Sequence, residues 1–137
     1  KLQAFLFRRP AFNGWGYRIN KWLASSTIRS KKIGRDNSLA ELGRNWQKGF
    51  PAQKQVPIIG QDKNTVYGEI LTKCPLQGTG DVTACYNMMS YDRQIVEQAG
   101  GQFVVLQSQA EPGVKKCKIA IRFQGEDMSD LIQAHEK

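Results

Sequence analysis

Residues 66–101 read VYGEILTKCPLQGTGDVTACYNMMSYDRQIVEQAGG, and the change of period inside this stretch decides the fold. From Val66 to Cys74 the pattern alternates, with Val66, Gly68, Ile70, Thr72 and Cys74 on one face and Tyr67, Glu69, Leu71 and Lys73 on the other, as a half-buried strand requires. Pro75 ends that strand. Asp81 then opens a helix that runs to about Ala99, where Gly100 and Gly101 close it. At about 100° per residue its apolar arc collects Val82, Ala84, Cys85, Met88, Met89, Tyr91, Ile95, Val96 and Ala99. Thr83, Asn87, Ser90, Gln94, Glu97 and Gln98 fall on the opposite side.

Downstream, Phe103 to Gln109 reads as a second strand, and Glu111, Pro112 and Gly113 form a turn. Lys116 to Phe123 is a third strand, with Cys117, Ile119, Ile121 and Phe123 inward and Lys116, Lys118 and Arg122 outward. A short helix is expected near Ser129 to His135. Upstream, Ser38 and Glu41 make a capping box for a helix whose apolar stripe is Leu39, Leu42 and Trp46 and which Gly49 and Pro51 end. Residues 51–64 read as a surface loop. Asn13 caps an earlier helix to about Thr27, and residues 28–36 form a charged connector. The fold class that follows is α+β: a small antiparallel sheet with helices packed on one face, preceded by N-terminal helices.

The 137 residues, 40% of them apolar, suffice for one hydrophobic core without metal or disulfide support. Three cysteines cannot complete a disulfide framework and point to a reducing, cytoplasmic setting. No apolar run is long enough to span a bilayer, and no stretch reads as a signal peptide.

The net charge of +8 is concentrated at one end. Nine basic residues precede the first acid, Asp36, whereas the eleven basic and twelve acidic residues from there on nearly cancel. Residues 1–36 are thus a basic arm rich in aromatic side chains, and residues 37–137 a near-neutral domain. Arg8, Arg9, Trp15, Arg18, Lys21 and Trp22 are the arm's candidates for docking on an anionic membrane surface or a larger protein complex, which would place the protein peripherally on a membrane. The bland reading is a helix folded over the sheet with solvated arginines. Nucleic-acid binding fits less well, because no known module frames the aromatics.

Within the domain, Cys74, Cys85 and Cys117 all fall on inward faces. Asp92 interrupts the helix's apolar arc, and a buried carboxylate costs several kcal/mol unless hydrogen-bonded, paired or protonated, on the order given by desolvation. It is a candidate general acid or base, with a satisfied structural carboxylate as the alternative. Met88 and Glu111 join Cys74 and Cys117 as candidate ligand contacts, Met88 reading equally as core. Zinc on Cys74, Cys85 and Cys117, with Glu111 or Glu69 as fourth ligand, is a further candidate, although no CxxC pair is present. A reactive thiol and plain packing are the other readings of these cysteines. Gly78 and Gly80 resemble a phosphate-cradling loop only weakly, since Asp81 stands where the anion would bind. His135, the sole histidine, is a minor candidate for a catalytic base.

The CPL at Cys74 to Leu76, a second cysteine about ten residues on with an aspartate two turns later, and PGVKKC leading into CKIAIRF resemble the L-2-amino-thiazoline-4-carboxylic acid hydrolase family. They are distantly similar to four-vinyl-reductase ligand-binding domains. The resemblance spans roughly Leu39 to Phe123. The hydrolase resemblance implies an α+β domain that opens a small sulfur-containing heterocycle using Cys74, Cys85, Asp92 and Cys117; such an enzyme would use Asp92 as proton shuttle and Cys85 or Cys74 as nucleophile or substrate contact. The second implies a small-molecule pocket, sometimes with zinc on cysteines. A non-catalytic accessory subunit or ligand-binding module docked through the arm is the alternative function.

Overall fold

The computed structural model describes Arg18, Ile19, Trp22, Leu23 and residues 38–137. The docking candidates Arg8, Arg9, Trp15 and Lys21, and most of the helix expected from Asn13, lie outside them. In the domain the order is α1 (Leu39–Lys48), a 3-10 turn (Gln53–Gln55), β1 (Ile58–Gln61), β2 (Val66–Ile70), α2 (Val82–Met88), α3 (Ser90–Gln98), β3 (Gly101–Gln107), β4 (Cys117–Phe123) and a 3-10 turn at Ala134–Glu136. The four strands form one antiparallel sheet in the order β1-β2-β4-β3. The fold is α+β, with helices packed on the sheet.

Register explains the core. Pairing sets Val66 opposite Ile121, Gly68 opposite Ile119 and Ile70 opposite Cys117, while Phe103 faces Ile121 and Val105 faces Ile119. This row of side chains is buried against Leu39, Leu42 and Trp46 of α1 and Ile95, Val96 and Ala99 at the end of α3. The capping box forms on its first half: Ser38 Oγ accepts from the Glu41 amide at 3.2 Å. Trp46 is fully buried and lies so close to β2 that a Cβ at Gly68 would stand 2.8 Å from its ring.

Several expectations are corrected. The loop expected over residues 51–64 contains β1, an edge strand whose exposed side chains show no alternation. β2 ends at Ile70, not Cys74, because the Leu71 amide turns to donate to Gln55 O at 2.8 Å and the carbonyls of Ile70 and Thr72 are taken by the Gln109 side chain. The single helix from Asp81 is interrupted at Met89, and Ser90, expected on the polar side, is buried. Only a 3-10 turn forms in the last segment.

Arg122 does point to the sheet face away from the helices, yet it is buried there. Its guanidinium donates to Thr65 Oγ1 at 2.7 Å, to Asp127 O, and to both carboxylate oxygens of Asp130 at 2.6 and 2.8 Å, pinning the C-terminal segment over the sheet. The forked pairing holds Asp130 below the usual carboxylate range.

Replacing Gly68 by Ala should destabilise the domain by about 1–3 kcal/mol, since the new methyl meets the Trp46 ring and Ile119 in a close-packed core. Gly60→Ala, where nothing lies within 4 Å, is the control. Denaturant midpoints of the two variants that coincide would contradict this packing.

Candidate functional site

A loop hooked onto the end of β3 creates the site. Gly78 and Gly80 both take φ of 74°, a left-handed conformation that glycine adopts without strain. Their amides donate to Gln109 O at 3.0 Å and Ala110 O at 2.8 Å, extending the chain alongside the β3 end. Those N–H groups are therefore occupied, and Asp81 accepts from the Ala84 amide at 3.0 Å to cap α2, which removes the phosphate-loop reading.

Gln109, with no exposed surface, fastens the other half of the loop. Its Oε1 accepts from the Cys74 amide at 2.9 Å and from Gln77 Nε2 at 3.3 Å, while its Nε2 donates to Thr72 O at 2.9 Å and Ile70 O at 3.3 Å. Every hydrogen-bonding position of this amide is used, so burial leaves it fully satisfied.

Between this loop, the helices and the sheet lies a cavity of about 540 Å³. Phe50 and Tyr91 form an aromatic wall, tied down where Tyr91 Oη donates to Gly49 O at 2.8 Å. Ile70, Met88 and Met89 add apolar surface, and the exposed Thr72 and Lys73 stand at the rim with Leu23. Cys74, Cys85, Asp92 and Cys117 all line this one cavity. Four candidates from separate segments thus meet, as does Met88.

Asp92 is the polar centre of the cavity. It is 2% exposed, and its Oδ1 accepts a hydrogen bond from Trp46 Nε1 at 2.8 Å. Burial pushes its carboxyl up to about 6, against the partial opposition of that hydrogen bond. Near neutral pH it therefore exchanges a proton readily.

The thiols behave differently. Burial raises Cys85 to about 11 and Cys117 to about 12, so both are protonated at neutral pH. Ser108 Oγ donates to Cys85 Sγ at 3.0 Å, and the Gln109 amide donates to Cys117 Sγ at 3.4 Å. At both sulfurs burial outweighs the hydrogen bonds they accept, which disfavours the thiolate. Cys74 is half-buried and also raised by burial.

Zinc is corrected, since among the described residues no three His, Cys, Asp or Glu side chains converge to hold a metal ion. Glu111, the proposed fourth ligand and ligand contact, turns elsewhere, accepting from the Ser108 amide at 2.7 Å and pairing with Lys137 at 3.3 Å. Glu69 pairs with Lys116 at 2.7 Å. His135 stacks on Tyr86 at 4.0 Å between ring centres and does not line the cavity.

Reading the sequence missed Gln109, Ser108 and the indole that bonds Asp92. No local pattern marks Gln109, a polar residue at a strand end. No family model matches the chain, and no curated protein or solved structure does either.

Because the folded protein holds the Asp92 proton more tightly than the unfolded chain, this group favours folding fully below about pH 4. That contribution, on the order of 3 kcal/mol, is lost as pH rises through about 6. The difference in unfolding free energy between the wild type and Asp92→Asn should follow this curve, and a difference flat from pH 4 to 7 would contradict it. A thiol-specific disulfide reagent at neutral pH should modify Cys74 first and reach Cys85 and Cys117 only as the protein unfolds, as mass mapping would show.

Proposed function

We propose that the cavity binds a small heterocycle carrying a basic ring nitrogen and a carboxylate, and that Asp92 exchanges a proton with that nitrogen during ring-opening hydrolysis. The observation that carries this reading is the buried Asp92 carboxyl, poised near 6, on the wall of a 540 Å³ cavity. Lys73 at the rim supplies a cation for a carboxylate on the same molecule. Phe50, Tyr91, Met88 and Ile70 supply flat and soft apolar contacts that suit a small sulfur heterocycle.

The chemistry requires little else. Protonated Asp92 gives its proton to the ring nitrogen and makes the carbon between nitrogen and sulfur electrophilic. Water adds to that carbon, the carbon–sulfur bond breaks, and the sulfur leaves as a thiol with the proton released by the water. Asp92, left as carboxylate, recovers the second proton of that water as the carbonyl of the product forms, and the ring nitrogen keeps the proton it received. Cys74, Cys85 and Cys117 are neutral walls in this scheme, shaping the cavity without forming a covalent intermediate.

Incubation with L-2-amino-thiazoline-4-carboxylate, followed by proton NMR and by titration of liberated thiol, tests the proposal. The wild type should open the ring, and Asp92→Asn should lose at least about 100-fold in rate, the contribution typical of a positioned acid. Binding without turnover would leave a ligand-holding module in place of the enzyme. Equal turnover in the variant, or no binding by NMR at all, would overturn the role given to Asp92.

A further inference from the structure

The rim of the cavity carries apolar side chains that the fold does not cover. Ile19, Trp22 and Leu23 are helical and spaced so that they share one face, and they are 43%, 64% and 39% exposed. Leu23 lines the cavity, which sets this face at its mouth. Leu71, 42% exposed, directly precedes the rim residues Thr72 and Lys73. Burial of large apolar groups is worth enough that several left uncovered around one opening call for an occupant.

Charge distinguishes among occupants. Arg18 is exposed on the same helical stretch, and Lys73 stands at the rim. Among the described residues the sole acid on the cavity wall, Asp92, is buried and turned to Trp46. The nine basic residues that precede Asp36 meet no acid among them. A partner faced by this surface must therefore be apolar in its interior and negative at its boundary. A bilayer containing anionic lipid has that layering, with Trp suited to the headgroup level and Lys and Arg to the phosphate and carboxylate groups.

We propose that the mouth of the cavity docks on an anionic lipid surface, with Trp22, Leu23 and Leu71 entering the headgroup boundary and Arg18 and Lys73 meeting the lipid charges. Docking in this orientation sets the opening against the bilayer; it does not rest on the hydrolytic reading of the cavity.

The test is sedimentation of the full chain with phosphatidylcholine vesicles, with and without phosphatidylserine, at low and at high salt. Binding should need phosphatidylserine and fall at least tenfold at high salt, where charges are screened within a few ångströms, about 3 Å at 1 M. The double variant Trp22→Ser, Leu71→Ser changes exposed positions alone, and near-ultraviolet circular dichroism checks its fold. It should bind phosphatidylserine vesicles at least tenfold more weakly than the wild type.

Three results would overturn the proposal: no pelleting with any vesicle, equal pelleting with neutral vesicles, or wild-type binding by the double variant. Self-association that this variant abolishes, in the absence of vesicle binding, would also overturn it, because the apolar rim would then meet a second copy of the chain. Ring opening is measured in vesicle-free solution, so failure of docking and failure of the hydrolytic reading are distinguishable.

Discussion

A single hydrogen bond from Trp46 to Asp92 fixes the architecture around which the cavity forms. The two residues lie 46 positions apart, on α1 and α3, and both are buried. An indole N–H taken from water without an acceptor, or a carboxyl without a donor, costs a few kcal/mol at an interior site, on the order of 1–3 each. Each residue supplies what the other lacks. Their pairing also sets the spacing of two helices over the sheet, with the Trp46 ring against Gly68 on one side and Phe50 and Phe103 on others. Removal of Trp46 takes from Asp92 its side-chain donor, and removal of Asp92 takes from the buried indole its acceptor.

A second constraint shapes the opposite wall. After β2 the chain must cross from the sheet to α2, and it does so through a loop whose backbone would be poorly satisfied by itself. Gln109 supplies four hydrogen bonds from one side chain, and the left-handed glycines present two further amides to the carbonyls at the β3 end. The loop is therefore held as firmly as a strand while remaining outside the sheet. This brings Cys74 over the cavity, and the same β3 end supplies Ser108 to Cys85. Polar groups are concentrated in this frame, whereas the space it encloses is mainly apolar. That contrast raises Asp92 and keeps the sulfurs neutral.

The sequence disclosed the parts of this arrangement that depend on local period. β2, β4, the apolar arc of α2 and α3, and the capping residue Ser38 were all legible, because alternation and helical spacing act over a few residues. Asp92 was legible as an anomaly, a charge placed where the arc demands an apolar group. Its partner was not, since nothing in the sequence relates position 46 to position 92. β1 escaped notice because an exposed edge strand needs no alternation, and the burial of the outward-facing Arg122 was not legible because the covering segment follows it by several residues. Gln109 gives the clearest case: its role exists only in the juxtaposition of two loops. The zinc reading failed for a related reason, as inward direction on three elements does not ensure convergence at metal-ligand distance.

The central claim is that Asp92 is a buried, proton-exchanging carboxyl whose state is sensed by Trp46. Carbon NMR of the Asp92 side-chain carboxyl, titrated together with the Trp46 indole proton, tests it most directly. Both signals should move with a common midpoint near pH 6. A carboxyl midpoint in the ordinary range near 4, or an indole proton indifferent to the titration, would contradict the account.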